Sequence, residues 1–295
     1  MRNENEFLKY IKDVKRYSNH TLVAYQNDLK QFFAYLSGTY GITNMEEVQF
    51  VMIRSWIVSL IEQTRTASSV KRKISTLKSY YKYLLREGIV PANPMLMVQP
   101  PKGTKQLPVF LDQTAMDLLF DKVDFGTGFN AIRDRLLLEL LYATGMRLSE
   151  LIGIRSGDID KYNGSVKVLG KRNKERIIPL FPAILDLMEE YLRVRSELET
   201  ADQGDFLLVT DRGVQLYPKF VYRTVNRYLS EITTLRKKSP HILRHTFATH
   251  LLNKGADINA IKEILGHSSL SATQVYTHNT VEKLKAAHKQ AHPKA

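Results

Sequence analysis

Apolar residues recur every three or four positions along the first 90 residues, which is the spacing of helices with one buried face. Four helices are expected, with inward residues Phe7, Leu8, Ile11 and Val14; Leu22, Tyr25, Leu29, Phe32 and Leu36; Ile53, Trp56, Ile57 and Leu60; and Val70, Ile74, Leu77, Tyr81 and Leu84. Ser18 or Thr21 is expected to cap the second helix, which should end at Ser37 and Gly38. Short loops between four such helices predict a small bundle.

The stretch 89–108 breaks this periodicity because it is rich in proline, which sustains neither a helix nor a central strand. We interpret it as a linker between domains that ends near residue 107. The predicted division is a first domain over 1–100, a linker over 101–107 and a second domain over 108–295.

Longer apolar segments after the linker predict a second, mostly helical domain. The segment 133–154 is expected to form a buried helix that breaks at Thr144 and Gly145 and restarts near Leu148, which leaves Arg147 at the turn. The other expected elements are a helix capped by Asp112, a hairpin of strands 165–169 and 176–180, a third strand over 206–209, and helices over 183–198, 217–232, 244–253 and 257–265. The predicted fold class is therefore mainly α, with two domains and a small antiparallel sheet.

The charge of the chain indicates a polyanionic partner. The formal net charge is +13, and such an excess attracts nucleic acid above all. In the fourth helix the basic residues Lys71, Arg72, Lys73 and Lys78 stand close together, and we expect them to contact DNA phosphates. A solvated basic face without a partner is the alternative interpretation.

The composition also excludes several classes of protein. The sequence contains no cysteine, which excludes disulfides, thiol catalysis and cysteine-ligated zinc. The N-terminal residues are polar and charged, and no apolar run reaches the roughly 20 residues that span a bilayer. We therefore expect a cytoplasmic protein without a membrane partner.

Residue types suited to phosphate chemistry cluster in the stretch 239–276. His241 and Arg244 lie three positions apart there, and His267 and Tyr276 follow. An arginine guanidinium matches two phosphate oxygens with two parallel hydrogen bonds, so Arg244 and the upstream Arg147 could clamp one phosphodiester.

Tyr276 is the candidate nucleophile for that phosphate. A phenol with an ordinary pKa near ~10 needs a base at neutral pH, and His241, with an ordinary pKa near ~6.5, is the natural candidate. The leaving sugar oxygen needs a proton, which Lys171 on the predicted hairpin could donate. A phosphotyrosyl intermediate conserves the bond energy, so a hydroxyl can rejoin the strand without ATP or another cofactor. Because two arginines and a lysine supply the positive charge, no metal is expected either.

The same residues have structural interpretations. A lone histidine is most often an ordinary core or surface residue, and a tyrosine is usually a packing residue. A buried arginine often pairs with an acid such as Glu150. A zinc site at His241, His245 and His250 is a further alternative, although the glutamate of zinc proteases is missing and cations flank the segment.

Four motifs in order resemble the phage integrase family of tyrosine recombinases, most of all its Xer-type members. They are ATGMRLSEL around Arg147, GKRNKERIIPL around Lys171, SPHILRHTFATHLLNKG with His241 and Arg244, and LGHSSLSATQVYTH with His267 and Tyr276. The resemblance covers nearly the whole chain. It departs from the family pattern at Met146, in place of a leucine, and at Arg172, in place of a glycine.

The resemblance implies a site-specific recombinase that cuts and rejoins DNA through a 3′-phosphotyrosyl intermediate. The implied roles are Tyr276 as nucleophile, Arg147, Arg244 and His267 on the scissile phosphate, Lys171 as general acid toward the 5′ oxygen, and His241 as general base. The implied biological role is the resolution of chromosome dimers. Integration or excision of a mobile element, a type IB topoisomerase-like activity, and DNA binding without catalysis are the alternatives.

The resemblance also implies a fold and an assembly. The fold is an N-terminal SAM-like helical bundle and a C-terminal catalytic domain that close around double-stranded DNA as a C-shaped clamp. The assembly is a homo- or hetero-tetramer on two DNA sites, with a second Xer recombinase and the FtsK translocase as candidate partners. Residues 281–295 fit a segment exchanged between subunits, and a frayed tail is the alternative.

Overall fold

The computed structural model describes residues 3–63, 66–101, 109–170, 174–198 and 205–266. The chain divides into two compact units, Met1–Gln106 and Leu107–Ala295, which we call the N-terminal and C-terminal units. The assignment of a DNA-binding role, a linker and a catalytic role to particular ranges stays a prediction.

The N-terminal unit is a bundle of helices around one core. Its helices are α1 (Glu4–Asp13), α2 (Asn19–Tyr40), α3 (Phe50–Glu62) and α4 (Ala67–Arg86), with a short 3-10 helix at Met45–Glu47. The Ser18 hydroxyl caps α2 by accepting a hydrogen bond from the Thr21 amide. Most of the predicted inward residues are buried in this core, whereas Val14 lies outside α1 and is exposed. The predicted helical bundle is confirmed.

The predicted end of α2 is wrong. The helix continues through Gly38 to Tyr40, and the left-handed cap is Gly41, with φ of 67°. The Gly41 amide donates to the carbonyls of Leu36 and Ser37. A left-handed residue at this position closes the helix, and glycine adopts it without steric cost.

The stretch interpreted as a linker begins inside the N-terminal unit. Val90, Met95 and Val98 are buried and belong to the same core cluster as the helices. Proline sustains no α-helix there, but the apolar residues around the prolines still pack. The interpretation of 89–98 as linker is therefore wrong, and residues 102–108 lie outside the described residues.

The C-terminal unit is mostly helical with a small sheet. Its helices are α5 (Gln113–Asp121), α6 (Gly128–Thr144), α7 (Leu148–Gly153), α8 (Pro182–Ser196), α9 (Pro218–Ile232), α10 (Pro240–Asn253) and α11 (Ile258–Leu265). The strands β1 (Ile159–Asp160), β2 (Ser165–Leu169) and β3 (Glu175–Pro179) form an antiparallel sheet in the order β1-β2-β3. The register places Ser165 opposite Pro179 and Leu169 opposite Glu175. The predicted fold class, mainly α with a small antiparallel sheet, is confirmed.

The buried helix α6 organises the core of this unit. Its residues from Leu136 to Thr144 are buried on every side, as expected of a helix that is apolar all around. The neighbouring helices α8 and α10 pack against it. Because the last residues of α6 are buried in the core, the packing around them fixes the position of the turn that follows Thr144.

Two predicted elements of this unit need correction. Residues 206–209 form no strand of the sheet. Phe206 and Val209 make isolated bridges with Arg155 and Gln215, and the third strand is the two-residue β1, which is too short to show a periodic pattern. Helix α10 begins at Pro240 and not near residue 244, because proline is well tolerated in a first helical turn that lacks amide partners anyway.

No helix among the described residues is both long and apolar enough to cross a membrane.

Candidate active site

Arg147 lies where the sequence predicted it, at the turn between α6 and α7. Gly145 makes the turn in the left-handed conformation, with φ of 58°, and a Cβ at this position would overlap the ring of Phe247. Arg147 then occupies the N-cap position of α7. The tight turn therefore needs glycine and brings Arg147 close to the core.

The carboxylate of Glu150 orients Arg147. It accepts from the Arg147 backbone amide at 2.7 Å and from Arg147 Nη1 at 2.8 Å. From the other side it accepts from Nη1 and Nη2 of Arg176 at 2.9 and 2.8 Å. Both oxygens of this buried acid thus accept two hydrogen bonds each, which satisfies the carboxylate.

The electrostatics of Glu150 follow from these bonds. Burial raises its pKa, but the hydrogen bonds from Arg176 and Arg147 and the charge of Arg176 outweigh burial, so the pKa lies below its ordinary value. Glu150 is consequently ionised at neutral pH. A permanent negative charge beneath Arg147 fixes the guanidinium in place.

Arg244 reaches the same region from α10. Its Nη1 donates to the Gly145 carbonyl at 2.6 Å and its Nη2 donates to the Leu265 carbonyl at 2.7 Å. Burial first, and then the nearby charge of Arg147, lower the pKa of Arg244 to about 10, against the opposing effect of Glu150. Arg244 therefore stays cationic at neutral pH in a place where a second cation is unfavourable, and an incoming phosphate would relieve that repulsion.

The end of α11 brings the arginines together. Three successive carbonyl oxygens accept from three arginines: Ile264 from Arg176 Nε at 2.6 Å, Leu265 from Arg244 Nη2 at 2.7 Å, and Gly266 from Arg147 Nη2 at 3.2 Å. The last carbonyls of a helix lack partners within the helix and carry a partial negative charge, which suits cations. The predicted meeting of Arg147 and Arg244 is thus present, on backbone oxygens of the segment that precedes His267.

His241 lies in the first turn of α10, one helical turn before Arg244, and is exposed. His250, on the same helix, is buried, and its Nδ1 pairs with the Tyr142 hydroxyl at 2.9 Å, which is a structural contact. Among the described residues no group of three His, Cys, Asp or Glu is arranged to hold a metal ion.

Three predicted site residues, Lys171, His267 and Tyr276, lie outside the described residues, as does the segment 281–295. The residue before Lys171 is described. Gly170 closes the base of the β2–β3 hairpin, where its amide donates to the Lys174 carbonyl at 2.8 Å. A Cβ at Gly170 would lie 3.4 Å from Arg176 Nη1 and 3.6 Å from Glu150 Oε1, so the hairpin base packs directly on this ion pair.

Sequence reasoning missed Arg176. It is 4% exposed and lies on β3 two residues before the buried Ile178. The two-residue alternation of a strand puts both side chains on the same face. An arginine at an inward strand position requires a buried acid, and that requirement was the available signal.

The basic residues of α4 do not share one face. Lys71, Arg72 and Lys78 are exposed. Lys73 is buried, and its Nζ donates to Asp28 Oδ1 at 2.8 Å and to Gln31 Oε1 at 2.6 Å. The prediction that Lys73 contacts DNA is therefore wrong for this conformation, because its charge is neutralised inside the bundle.

Comparison with known proteins gives the class of the chain. The model of the phage integrase family matches residues 110–283, and the model of the phage integrase N-terminal SAM-like domain matches residues 5–88. The chain is 37% identical to the tyrosine recombinase XerC of Chlorobaculum parvum over 98% of its length and 94% of that protein. It is 39% identical to XerC of Listeria innocua over 99% of its length and 98% of that protein.

Solved structures show the same fold. XerH recombinase in a post-cleavage complex with palindromic difH substrate superimposes with a TM-score of 0.73 at 23% identity, over 96% of this chain and 83% of that chain. The Tn1549 transposon integrase in complex with circular intermediate DNA gives a TM-score of 0.72 at 19% identity, over 96% and 98%.

The chain belongs to the phage integrase family. Its activity is that of a tyrosine recombinase, the site-specific breakage and rejoining of DNA, and the similarity to Xer-type recombinases is the one that the motifs indicated.

Proposed function

We propose that this enzyme resolves chromosome dimers, cutting DNA through a 3′-phosphotyrosyl intermediate on Tyr276. The observation that carries the cleavage chemistry of this proposal is the meeting of Arg147 and Arg244, from different helices, on the adjacent carbonyls of Leu265 and Gly266. Two guanidiniums brought to one place provide the donors that a single phosphodiester requires.

The proposed reaction assigns one task to each group. Tyr276 loses its proton to His241 and attacks the phosphorus, so a phosphotyrosyl bond forms while the bond to the 5′ oxygen breaks. Lys171 gives a proton to that leaving oxygen. Arg147, Arg244 and His267 stabilise the negative charge that develops on the phosphate. Attack by the 5′ hydroxyl of a second strand reverses the steps and rejoins the DNA.

The proposed assembly is a tetramer on two double-stranded DNA sites, in the cytoplasm. A second Xer recombinase and the FtsK translocase are the proposed partners. The identity of 37% and 39% to proteins named XerC supports this role over integration of a mobile element.

A nicked DNA substrate tests the chemistry, because loss of the short cleaved fragment traps the covalent adduct. The wild-type chain is expected to form the adduct, and Tyr276→Phe is expected to form none. Tyr162→Phe is the matched control, since Tyr162 is 97% exposed on the C-terminal unit. An adduct with Tyr276→Phe would overturn the assignment of the nucleophile.

Capture of genomic fragments tests the biological role. Recovery of one short inverted repeat near the replication terminus supports dimer resolution, and a site at the end of a mobile element contradicts it. Relaxation of a plasmid that lacks this site would indicate a topoisomerase instead.

A further inference from the structure

Arg176 has no task in the proposed reaction, yet it contacts α7, the end of α11 and the base of the β2–β3 hairpin. We propose that Arg176 is a positioning residue for DNA cleavage, which fixes Arg147 through Glu150 and fixes the end of α11 that leads to His267. The inference rests on the function proposed above and adds a residue to it.

The geometry of Arg176 uses the full fork of the guanidinium. Nη1 and Nη2 donate to the two oxygens of Glu150 at 2.9 and 2.8 Å, while Nε donates to the Ile264 carbonyl at 2.6 Å. One planar group therefore joins β3, α7 and the end of α11. A lysine ammonium is a compact charge on a flexible stem and cannot make these three bonds in one plane.

The fork controls how Glu150 binds Arg147. With Arg176 in place, each oxygen of Glu150 already accepts one hydrogen bond from the Arg176 guanidinium. Glu150 then accepts only one side-chain hydrogen bond from Arg147. Arg147 keeps a side-chain exposure of 32%, so part of this side chain stays accessible to a phosphate. Without Arg176 the buried carboxylate would need new donors, and Arg147 is the nearest cation that could turn toward it.

Two glycines pack against Arg176 from the chain segments that lead to the undescribed site residues. A Cβ at Gly266 would lie 3.1 Å from Arg176 Nη1, and a Cβ at Gly170 would lie 3.4 Å from the same atom. The residues immediately after these glycines are His267 and Lys171. The guanidinium thus packs against the residue that immediately precedes each of them.

The test separates positioning from stability by measuring DNA affinity and cleavage in the same protein. The variants are Arg176→Lys and Arg176→Met in the full chain, with the nicked substrate at saturating concentration. Displacement of a phosphate-binding group by about 1 Å costs about 10²-fold in rate, which is the loss expected for Arg176→Met, with a smaller loss for Arg176→Lys. The dissociation constant for DNA is expected to change less than the rate does, because many other phosphate contacts supply affinity.

Arg195→Lys is the matched control. Arg195 is also a buried arginine of the C-terminal unit, but its Nη1 donates to the carbonyls of Phe206 and Leu207. Within the described part of the chain no hydrogen bond joins it to Glu150 or Arg147. Arg195→Lys is expected to lower the melting temperature and to leave the cleavage rate of bound DNA unchanged.

A second measurement tests the route through Glu150. If Arg176 acts through Glu150, the double variant Arg176→Met/Glu150→Gln cleaves no more slowly than the slower single variant. The inference would be overturned if folded Arg176→Lys cleaved bound DNA at the wild-type rate. It would also be overturned if an Arg176 variant lost DNA affinity and cleavage rate by the same factor. If the wild-type chain and Arg195→Lys form no adduct, the proposed function itself fails.

Discussion

Two buried acids, Asp28 in the N-terminal unit and Glu150 in the C-terminal unit, are surrounded in similar ways. Each pairs with one buried cation, Lys73 or Arg176, whose side chain is 5% exposed. Each also pairs with one arginine that stays partly exposed: Arg72 at 45% and Arg147 at 32%. In both units a buried charge thus orients an arginine at the surface.

The two clusters differ in how many chain segments they join. The cationic partners of Asp28 both come from α4, as does Thr76, which donates to Asp28 Oδ2 at 2.9 Å, so the cluster joins two helices. Glu150 joins α7 to β3 and, through Arg176, to the end of α11. The first cluster fixes the packing of a bundle, whereas the second fixes the relative positions of groups that we propose to act on one phosphate.

The largest expected effect is on the stability of the N-terminal unit. Asp28→Asn leaves the Lys73 charge buried without a counter-charge, and removal of one partner from a buried ion pair costs about 3–5 kcal/mol. Trp56, the single tryptophan, is buried in this unit, so its fluorescence during denaturation reports the loss. Glu150→Gln should leave the denaturation midpoint reported by Trp56 fluorescence unchanged. A shift of this midpoint as large as that of Asp28→Asn would contradict the view that each cluster stabilises only its own unit.

The next effect is on cleavage. Glu150→Gln replaces two anionic acceptor oxygens by one carbonyl and one amide donor that faces an arginine, so Arg147 loses its fixed position. We expect a loss of about 10²-fold in the cleavage rate of bound DNA on the nicked substrate. Glu189→Gln is the control, because Glu189 is an exposed acid of the same unit that pairs only with Lys161 in the described residues. Asp28→Asn at saturating DNA and a temperature where it is folded should cleave at the wild-type rate.

A smaller effect separates the lysines of α4. If α4 lies against DNA, Lys78→Ala weakens binding and lowers the dependence of log affinity on log salt by about one unit. Lys73→Met should leave this slope unchanged, because Asp28 already neutralises the Lys73 charge. Equal slopes for Lys78→Ala and the wild type would remove Lys78 from the proposed DNA surface.

The smallest effect is on the pH dependence of stability. The pKa of Glu150 is lower in the folded chain than its ordinary value of 4.5. Its stabilising contribution is therefore fully present above that value and is lost as the pH falls through the lower, folded pKa. The stability difference between wild type and Glu150→Gln, followed by circular dichroism, should narrow below about pH 4.5. A difference that stays constant under strongly acidic conditions would show that the charge of Glu150 contributes nothing.

Much of the fold could be predicted from the sequence because apolar spacing identifies the buried face of a helix. The same rule would have identified Lys73, which stands three residues after Val70 and four before Leu77 and so lies on the buried face of α4. The predicted DNA contact of Lys73 rested on its charge alone and not on its position relative to the buried face. The end of α2 could not be assigned by the same rule, since Gly38 and Gly41 are both glycines and the choice depends on how the chain turns.

The candidate site could be predicted as a set of residue types, but not as an arrangement. Arg147 could be located because the glycine turn after α6 is visible in the sequence. The inward strand position of Arg176 indicates that it needs a buried acid, but Glu150 lies 26 positions away, and the local pattern does not identify it as the partner. The meeting of three arginines on the carbonyls 264–266 depends on where α11 ends relative to α7 and α10, which is a property of the packed core.

The buried amine of Lys73 has a further consequence for experiments on the folded chain. Amine-reactive reagents modify lysines that solvent can reach, so Lys71 and Lys78 should be labelled quickly while Lys73 is protected. Lys73 can react only when the bundle opens around Asp28, and its labelling rate, measured by mass spectrometry, therefore reports the opening free energy of the N-terminal unit. One ordinary lysine on the buried face of α4 thus serves as a built-in probe of local unfolding.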